Sequence, residues 1–199
     1  MNRLHHWLCN SEGWRDIIQQ RVPWVMADIP LGSHMLEIGP GPGLTTDLLQ
    51  TKVPRLTALE IDPGLAAKLH ARLAKSNVEV VLGDATSMPF PDAHFSASVA
   101  FTMLHHVPSQ ELQDRVLREA WRVLAPGGHF MGSDSLSSFT MLVLHWRDVL
   151  VAVDPDTFGR RLEAAGFEVL KVDKNADAFR FRARRPANPE SHPLKSSAP

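Results

Sequence analysis

Three glycines in five residues, Gly39, Gly41 and Gly43, interrupt the chain after an apolar run and just before Thr45 and Thr46. Glycine lets the backbone turn sharply and lets a bulky ligand lie against the main chain with no Cβ in the way. Two carboxylates follow at matching places. Glu60 closes Leu56-Thr57-Ala58-Leu59, and Asp84 sits in Gly83-Asp84-Ala85 ahead of Met88-Pro89-Phe90. A carboxylate at a strand end can accept hydrogen bonds from both hydroxyls of a ribose. An aspartate at the next strand end can accept from an adenine amino group while apolar neighbours cover the ring. The chemistry implied is recognition of a nucleoside. Each feature also has a plainer reading: a tight turn for the glycines, a solvated strand end for Glu60, an ordinary Gly-Asp turn for Asp84. Asp62, ahead of Pro63, reads as a helix N-cap.

A second group could move protons. His105, His106 and Asp134 fall just beyond strand ends on the same side of the predicted sheet. General-base catalysis is one role for the histidines, and helix capping or packing is the other. For Asp134 the choice is between structural capping and substrate contact.

The elements that must position these groups follow from periodicity. Ser11 to Met26 reads as an amphipathic helix weakened or divided by Pro23. Strands are predicted at His34–Ile38, Arg55–Ile61, Val78–Leu82, Phe95–Phe101 and His129–Ser133, with helices at Leu44–Gln50, Pro63–Leu73 and Ser109–Leu124. In the last of these helices Ser109 is the N-cap and Glu111 or Glu119 is exposed. Asp156–Ala165 is the final helix, capped by Gly166, and Phe167–Val172 and Ala178–Arg184 form a terminal hairpin. Alternating strand and helix imply an α/β, Rossmann-like, seven-stranded, mostly parallel sheet with one antiparallel strand and helices on both faces. Ligands of such sheets lie beyond the carboxyl ends of the strands, where strand order reverses. The expected organisation is an N-terminal helical cap over residues 1–30, the α/β domain over 31–185, and a disordered Pro- and Ser-rich tail over 186–199.

Composition narrows the classes. The chain has 199 residues with 21 basic and 22 acidic side chains, so its net charge of -1 gives no overall drive toward nucleic acid or anionic lipid. No apolar run approaches the roughly 18 residues of a membrane span, and no signal-peptide core precedes residue 30. Cys9 is the sole cysteine, which leaves no intrachain disulfide and no cysteine-based zinc site. A cytoplasmic location is expected. There is no tyrosine.

Leu36-Glu37-Ile38-Gly39-Pro40-Gly41-Pro42-Gly43, Leu59-Glu60-Ile61-Asp62 and Gly83-Asp84-Ala85 appear in that order, followed by Phe90-Pro91-Asp92-Ala93-His94-Phe95 and Leu104-His105-His106-Val107. Arg118-Glu119-Ala120-Trp121-Arg122-Val123-Leu124-Ala125-Pro126-Gly127-Gly128 completes the series. From Met35 to Arg184 the sequence resembles the class I S-adenosylmethionine-dependent methyltransferase family, in its small-molecule, methyltransferase type 11-like branch. The resemblance implies S-adenosylmethionine as cofactor. Glu37 and Gly39 would then lie near its methionine end, with Gly41 and Gly43 in the loop beneath. Glu60 would meet the ribose, Ile61 the adenine face, Asp84 and Ala85 the adenine edge, and Phe101 the end of the fourth strand beside the cofactor.

Two other classes share parts of this pattern. A nicotinamide-dependent oxidoreductase has a similar half-site, but short-chain reductases need a catalytic tyrosine, and the glycines run Gly-x-Gly-x-Gly rather than Gly-x-Gly-x-x-Gly. A non-catalytic binding or interaction module on the same fold is the second alternative. Among methyl acceptors, nucleobase amines call for an Asn/Asp/Ser-Pro-Pro-aromatic motif where Phe101-Thr102-Met103-Leu104 stands. No carboxylate set suggests a metal. Arg180, Arg182, Arg184 and Arg185 alternate with Phe179, Phe181 and Ala183 and read as the solvated face of the last strand. The insertion Ser135–Asp154 is too apolar for a plain loop, and with Phe139, Trp146 and the N-terminal Trp14 it reads as a lid over an acceptor pocket, or else as core or dimer cover. The acceptor expected is a small hydrophobic or amphipathic molecule and not a nucleic acid. Alignment alone can drive methyl transfer, by about 7–11 kcal/mol, so a catalytic side chain is optional.

Overall fold

The computed structural model describes residues 12–136 and 149–187. In chain order the elements are α1 (Glu12–Met26), β1 (His34–Ile38), α2 (Leu44–Leu49), β2 (Arg55–Glu60), α3 (Pro63–Leu73), β3 (Val78–Leu82), β4 (Phe95–Phe101), a 3-10 turn (Leu104–His106), α4 (Gln110–Val123), β5 (Leu124–Ser135), α5 (Pro155–Ala164), β6 (Glu168–Lys174) and β7 (Ala178–Arg184). Phe139 and Trp146, most of the expected lid and the tail beyond residue 187 lie outside the described residues.

Seven strands form one sheet in the order β3-β2-β1-β4-β5-β7-β6. β1 pairs in parallel with both β2 and β4, so the chain's winding reverses at β1 and opens a crevice there. β7 runs antiparallel to both of its neighbours and is the one reversed strand.

Side-chain alternation along each strand divides the core between two faces. Met35 and Leu56 meet Ile18, Val22 and Val25 of α1 and Leu49 of α2. Leu36 and Ile38 meet Val116 and Leu117 of α4 and Phe158 and Leu162 of α5. Ala58 takes Leu69 and Leu73 of α3 on the first face. Phe95 joins the second face although Ala97, Val99 and Phe101 join the first, because a bulge between Phe95 and Ala97 shifts the alternation.

Local chemistry sets the boundaries. Asp62 caps α3 by accepting from the Gly64 and Leu65 amides, and Ser109 caps α4 by accepting from Leu112, each worth about 1 kcal/mol. Pro23 does not divide α1; its carbonyl still accepts from Ala27 N at 2.9 Å and the helix runs through. β5 begins at Leu124, before the turn expected at Ala125-Pro126-Gly127-Gly128, since Leu124 already pairs with Phe95. Glu119 is not a solvated residue: it accepts from Met88 N and binds Arg122, which also reaches the Phe90 and Met88 carbonyls and so fixes the loop after β3.

Of the arginines expected on a solvated face, Arg184 is exposed, but Arg180, Arg182 and Arg185 are partly buried against the protein. Arg182 donates from Nε to Val25 O and from Nη2 to Trp24 O, both at 2.7 Å, and Arg180 donates to Trp24 O and binds Asp173. The last carbonyls of α1, unpaired within the helix, are thereby capped by cations from the sheet. Arg185 donates to the Trp121, Arg122 and Leu124 carbonyls, and Arg184 pairs with Glu168. These cations tie α1 and the end of α4 to the domain.

Candidate functional site

At the β1–β4 crevice lies a cavity of about 530 Å³. The glycine loop forms one wall. Gly43 is the N-cap of α2 at φ 89, a left-handed conformation, and an added Cβ would stand 2.4 Å from Arg72 Nη2 and from Leu69 Cδ1. Only glycine lets α2 pack that closely on α3. Arg72 closes the loop from outside, binding Asp47 and reaching the Pro42 and Gly43 carbonyls at 3.3 Å. Gly41, also left-handed at φ 55, lines the cavity, and a Cβ there would meet nothing within 4 Å. The ligand space begins where that side chain would be.

Glu37 stands behind this wall. It is 1% exposed, and its carboxylate accepts from the Thr45 and Thr46 hydroxyls. Burial pushes its carboxyl up to about 7, against the two threonine bonds, which act to lower it. Glu37 therefore supports the start of α2, and Thr45, not Glu37, faces the cavity.

Glu60, 5% exposed, accepts from Gly41 N through Oε2 and from Asp62 N through Oε1, both at 2.9 Å. Each carboxylate oxygen has capacity for a further bond, so the residue can brace the loop and still present two acceptors to a diol. Ile61 beside it is 66% exposed, a large apolar surface turned toward the cavity. Asp84 accepts from Thr86 N at 2.8 Å through Oδ1, and Ala85 lines the same end. Carboxylates below and apolar surface above suit a sugar and a flat base.

The other end is built by the turn after β4. Thr102 has φ 49, which a β-branched residue adopts only under strain of about 1–3 kcal/mol; its amide donates to Ser133 O at 2.7 Å. That kink turns the chain into the 3-10 turn carrying both histidines. His105 Nδ1 lies 2.5 Å from Asp134 Oδ1, and the His105 amide donates to Asp134 Oδ2 at 3.2 Å. Burial would raise the Asp134 carboxyl, but the interaction with the His105 ring and the bonds from the His105 and Ser135 amides outweigh it and hold the group below the usual range. Gln113, 1% exposed, donates to the Leu104 and Val151 carbonyls and accepts from Arg161, which fixes the turn from beneath. Trp14, Ile18, Phe101, Met103, His106 and Val149 complete this end.

Of the residues expected from sequence, Gly39, Gly41, Glu60, Ile61, Asp84, Ala85, Phe101, His105, His106 and Trp14 all line one cavity. Glu37, Gly43 and Asp134 stand behind it and position others. Among the described residues no cluster of three metal-ligating side chains occurs. Sequence reasoning missed Thr45, Arg72, Thr102 and Gln113. Only the Thr45-Thr46 pair, in the first turn after the glycines, carried a signal: two adjacent hydroxyls, which the buried Glu37 uses.

Residues 36–132 match the Methyltransferase domain family. The chain is 38% identical over 109 residues to the probable ribosomal RNA small subunit methyltransferase A of Haloarcula marismortui, which covers 52% of this chain and 37% of that protein. It is 29% identical over 151 residues to the fatty-acid O-methyltransferase of Mycolicibacterium smegmatis, 74% of this chain and 53% of that one. The chain thus spans about half or less of these relatives. Among solved structures, the N-methyltransferase NodS from Bradyrhizobium japonicum, in complex with S-adenosyl-L-homocysteine, superposes with a TM-score of 0.70 at 21% identity, covering 90% of each chain.

Proposed function

We propose that this chain, whose residues 36–132 match the Methyltransferase domain family and whose seven-stranded sheet has the matching fold, acts as a class I S-adenosylmethionine-dependent methyltransferase on a small hydrophobic or amphipathic molecule. One observation carries the reading: a single cavity joins a nucleoside-fitting end at Glu60, Ile61 and Asp84 to an apolar end at Trp14, Ile18 and Phe101, with His105 between its walls. Its volume of about 530 Å³ lies within the range of roughly 300–1,000 Å³ usual for small-molecule sites.

S-adenosylmethionine, when bound, supplies the methyl group as an electrophile on a sulfonium. Glu60 would accept from the ribose hydroxyls, Ile61 and Ala85 would cover the base, and Gly41 would leave room for the rest. Trp14, Phe101 and Met103 exclude water from the transfer end. Asp134 on Nδ1 fixes the His105 tautomer that carries its proton there, so Nε2 is the atom to take a proton from a hydroxyl or amine acceptor. Both histidines remain close, with ring centroids 4.2 Å apart, and His105 is the one held by a carboxylate.

A small acceptor is supported over a ribosomal one by that apolar end and by the arginines in and just after β7, whose guanidinium groups bond within the protein. The fatty-acid relative also matches a larger share of this chain, 74% against 52%. Among the described residues no helix is long and apolar enough to cross a membrane. Incubation with methyl-labelled cofactor and a fractionated metabolite extract tests the proposal. Label in a small molecule supports it; label only in added ribosomal RNA, or none, opposes it.

A further inference from the structure

Glu37 is a buried acid joined to the cavity through a hydroxyl. Thr45 donates its hydroxyl proton to Glu37 Oε1, and Thr46 donates to Oε2 at 2.7 Å. Thr45 lines the cavity, and of the lining residues from Gly39 to Thr45 it alone has a polar side chain. The charges that act on Glu37 through space, Asp47 of α2 and Glu60 of β2, are both acids. Arg72 of α3 is committed to Asp47 and to the Pro42 and Gly43 carbonyls. Among the described residues the buried carboxyl group thus has two hydroxyl donors and two like charges around it, a setting that favours keeping a proton.

Sheet order decides what reaches Thr45. The strands run β3-β2-β1-β4, with Asp84 just beyond β3, Glu60 at the end of β2 and His105 in the turn after β4. Between them, over the end of β1, Gly39 and Gly41 line the cavity. The sulfonium of S-adenosylmethionine joins a nucleoside, a methyl group and an amino-acid arm. With the nucleoside at the β2 and β3 tips and the methyl toward β4, the amino-acid arm is left to the loop after β1. A hydroxyl whose proton goes to Glu37 offers the cavity lone pairs alone, so it can accept from an ammonium and has nothing to donate to a carboxylate.

We infer that Glu37, acting through Thr45, is the counter-charge for the α-ammonium group of the cofactor, and that cofactor binding expels a proton from Glu37 to bulk water. The inference rests on the methyl-transfer reading above and adds which residues meet the amino-acid arm. Ionised Glu37 takes the Thr45 proton and keeps the hydroxyl an acceptor; protonated Glu37 can donate instead and frees Thr45 to turn its own proton outward. An ammonium at Thr45 therefore selects the ionised acid. By linkage, affinity rises with pH through the range in which the free protein gives up that proton, near 7.

Calorimetric titration of the full chain at pH 7, in phosphate and in Tris, counts the protons released, because the two buffers differ in ionisation heat. The probes are S-adenosylhomocysteine and methylthioadenosine, which keeps the nucleoside and sulfur but has no amino-acid arm. S-adenosylhomocysteine is expected to expel up to about half a proton per site, as from a group half protonated at that pH, and methylthioadenosine none. Glu37→Gln is expected to abolish the release. Thr45→Val is expected to weaken S-adenosylhomocysteine about fivefold or more, the worth of one hydrogen bond, and to leave methylthioadenosine within about twofold; Thr45→Ser should recover the loss. A merely structural threonine would weaken both probes alike. No proton release with S-adenosylhomocysteine, equal release with both probes, release that survives in Glu37→Gln, or equal weakening of both probes by Thr45→Val overturns the inference. The wild-type comparison decides even if a variant fails to fold. Failure of wild type to bind either probe overturns the methyl-transfer reading as well, whereas binding without proton release overturns the role of Glu37 alone.

Discussion

His105 Nδ1 and Asp134 Oδ1 lie 2.5 Å apart, with both side chains almost wholly buried, although the residues are separated by 29 positions in the chain. The pairing exists because β4 and β5 are neighbours in the sheet, which places the turn after one beside the end of the other. An imidazole held at Nδ1 by a carboxylate is oriented to use Nε2.

Asp134→Asn keeps the shape but removes the charge and the tautomer preference. With a hydroxyl or amine acceptor, kcat is expected to fall by about 100- to 10,000-fold, the usual contribution of a general base. Affinity for S-adenosylhomocysteine should stay within about twofold, since Asp134 does not line the cavity. Single-turnover kinetics with a titration on the same preparation would check both.

Glu37 makes a pH-dependent contribution of definite sign. Its folded carboxyl is raised to about 7 by burial, so between the unfolded value near 4.5 and 7 the folded state holds a proton that the unfolded state has lost. That contribution is full below about pH 4.5, is lost as pH rises through 7, and changes by about 3 kcal/mol in all. Urea unfolding of wild type and Glu37→Gln across this range should show the difference in stability declining with pH. A flat difference would mean that Glu37 is ionised throughout.

Arg182→Ala removes two bonds from a cation to the end of α1. The expected loss is about 1.5–3 kcal/mol, and calorimetric melting should fall by several degrees. Arg182→Lys should recover only part of it, having no fork to span two carbonyls.

Gly41→Ala probes the cradle. The left-handed backbone at φ 55 makes alanine strained by about 1–2 kcal/mol, a modest drop in melting temperature. The added methyl would project into open cavity, so S-adenosylhomocysteine should bind at least about tenfold more weakly. Thermal melting beside a binding titration separates the two effects.

Much of this was legible in the sequence wherever the cause is local. Pro63 with Asp62 before it fixes the start of α3, and the apolar run from Phe95 to Phe101 fixes β4, because caps and periodicity act within a few residues. The order of carboxylates along the chain likewise located Glu60 and Asp84. What depends on neighbours in space was not legible. Strict alternation put Arg180 and Arg182 away from the core correctly, but could not show that α1 lies across that face. Glu37 was expected beside the ligand, yet two threonine hydroxyls that only the turn into α2 brings to it hold it behind the wall.

The most direct measurement is a calorimetric titration of the wild-type chain and Glu60→Ala with S-adenosylhomocysteine. The account predicts one site in wild type and a loss of about 1.5–3 kcal/mol in the variant, as charge-assisted bonds to the sugar disappear. No heat of binding in wild type, or an affinity untouched by Glu60→Ala, would contradict it.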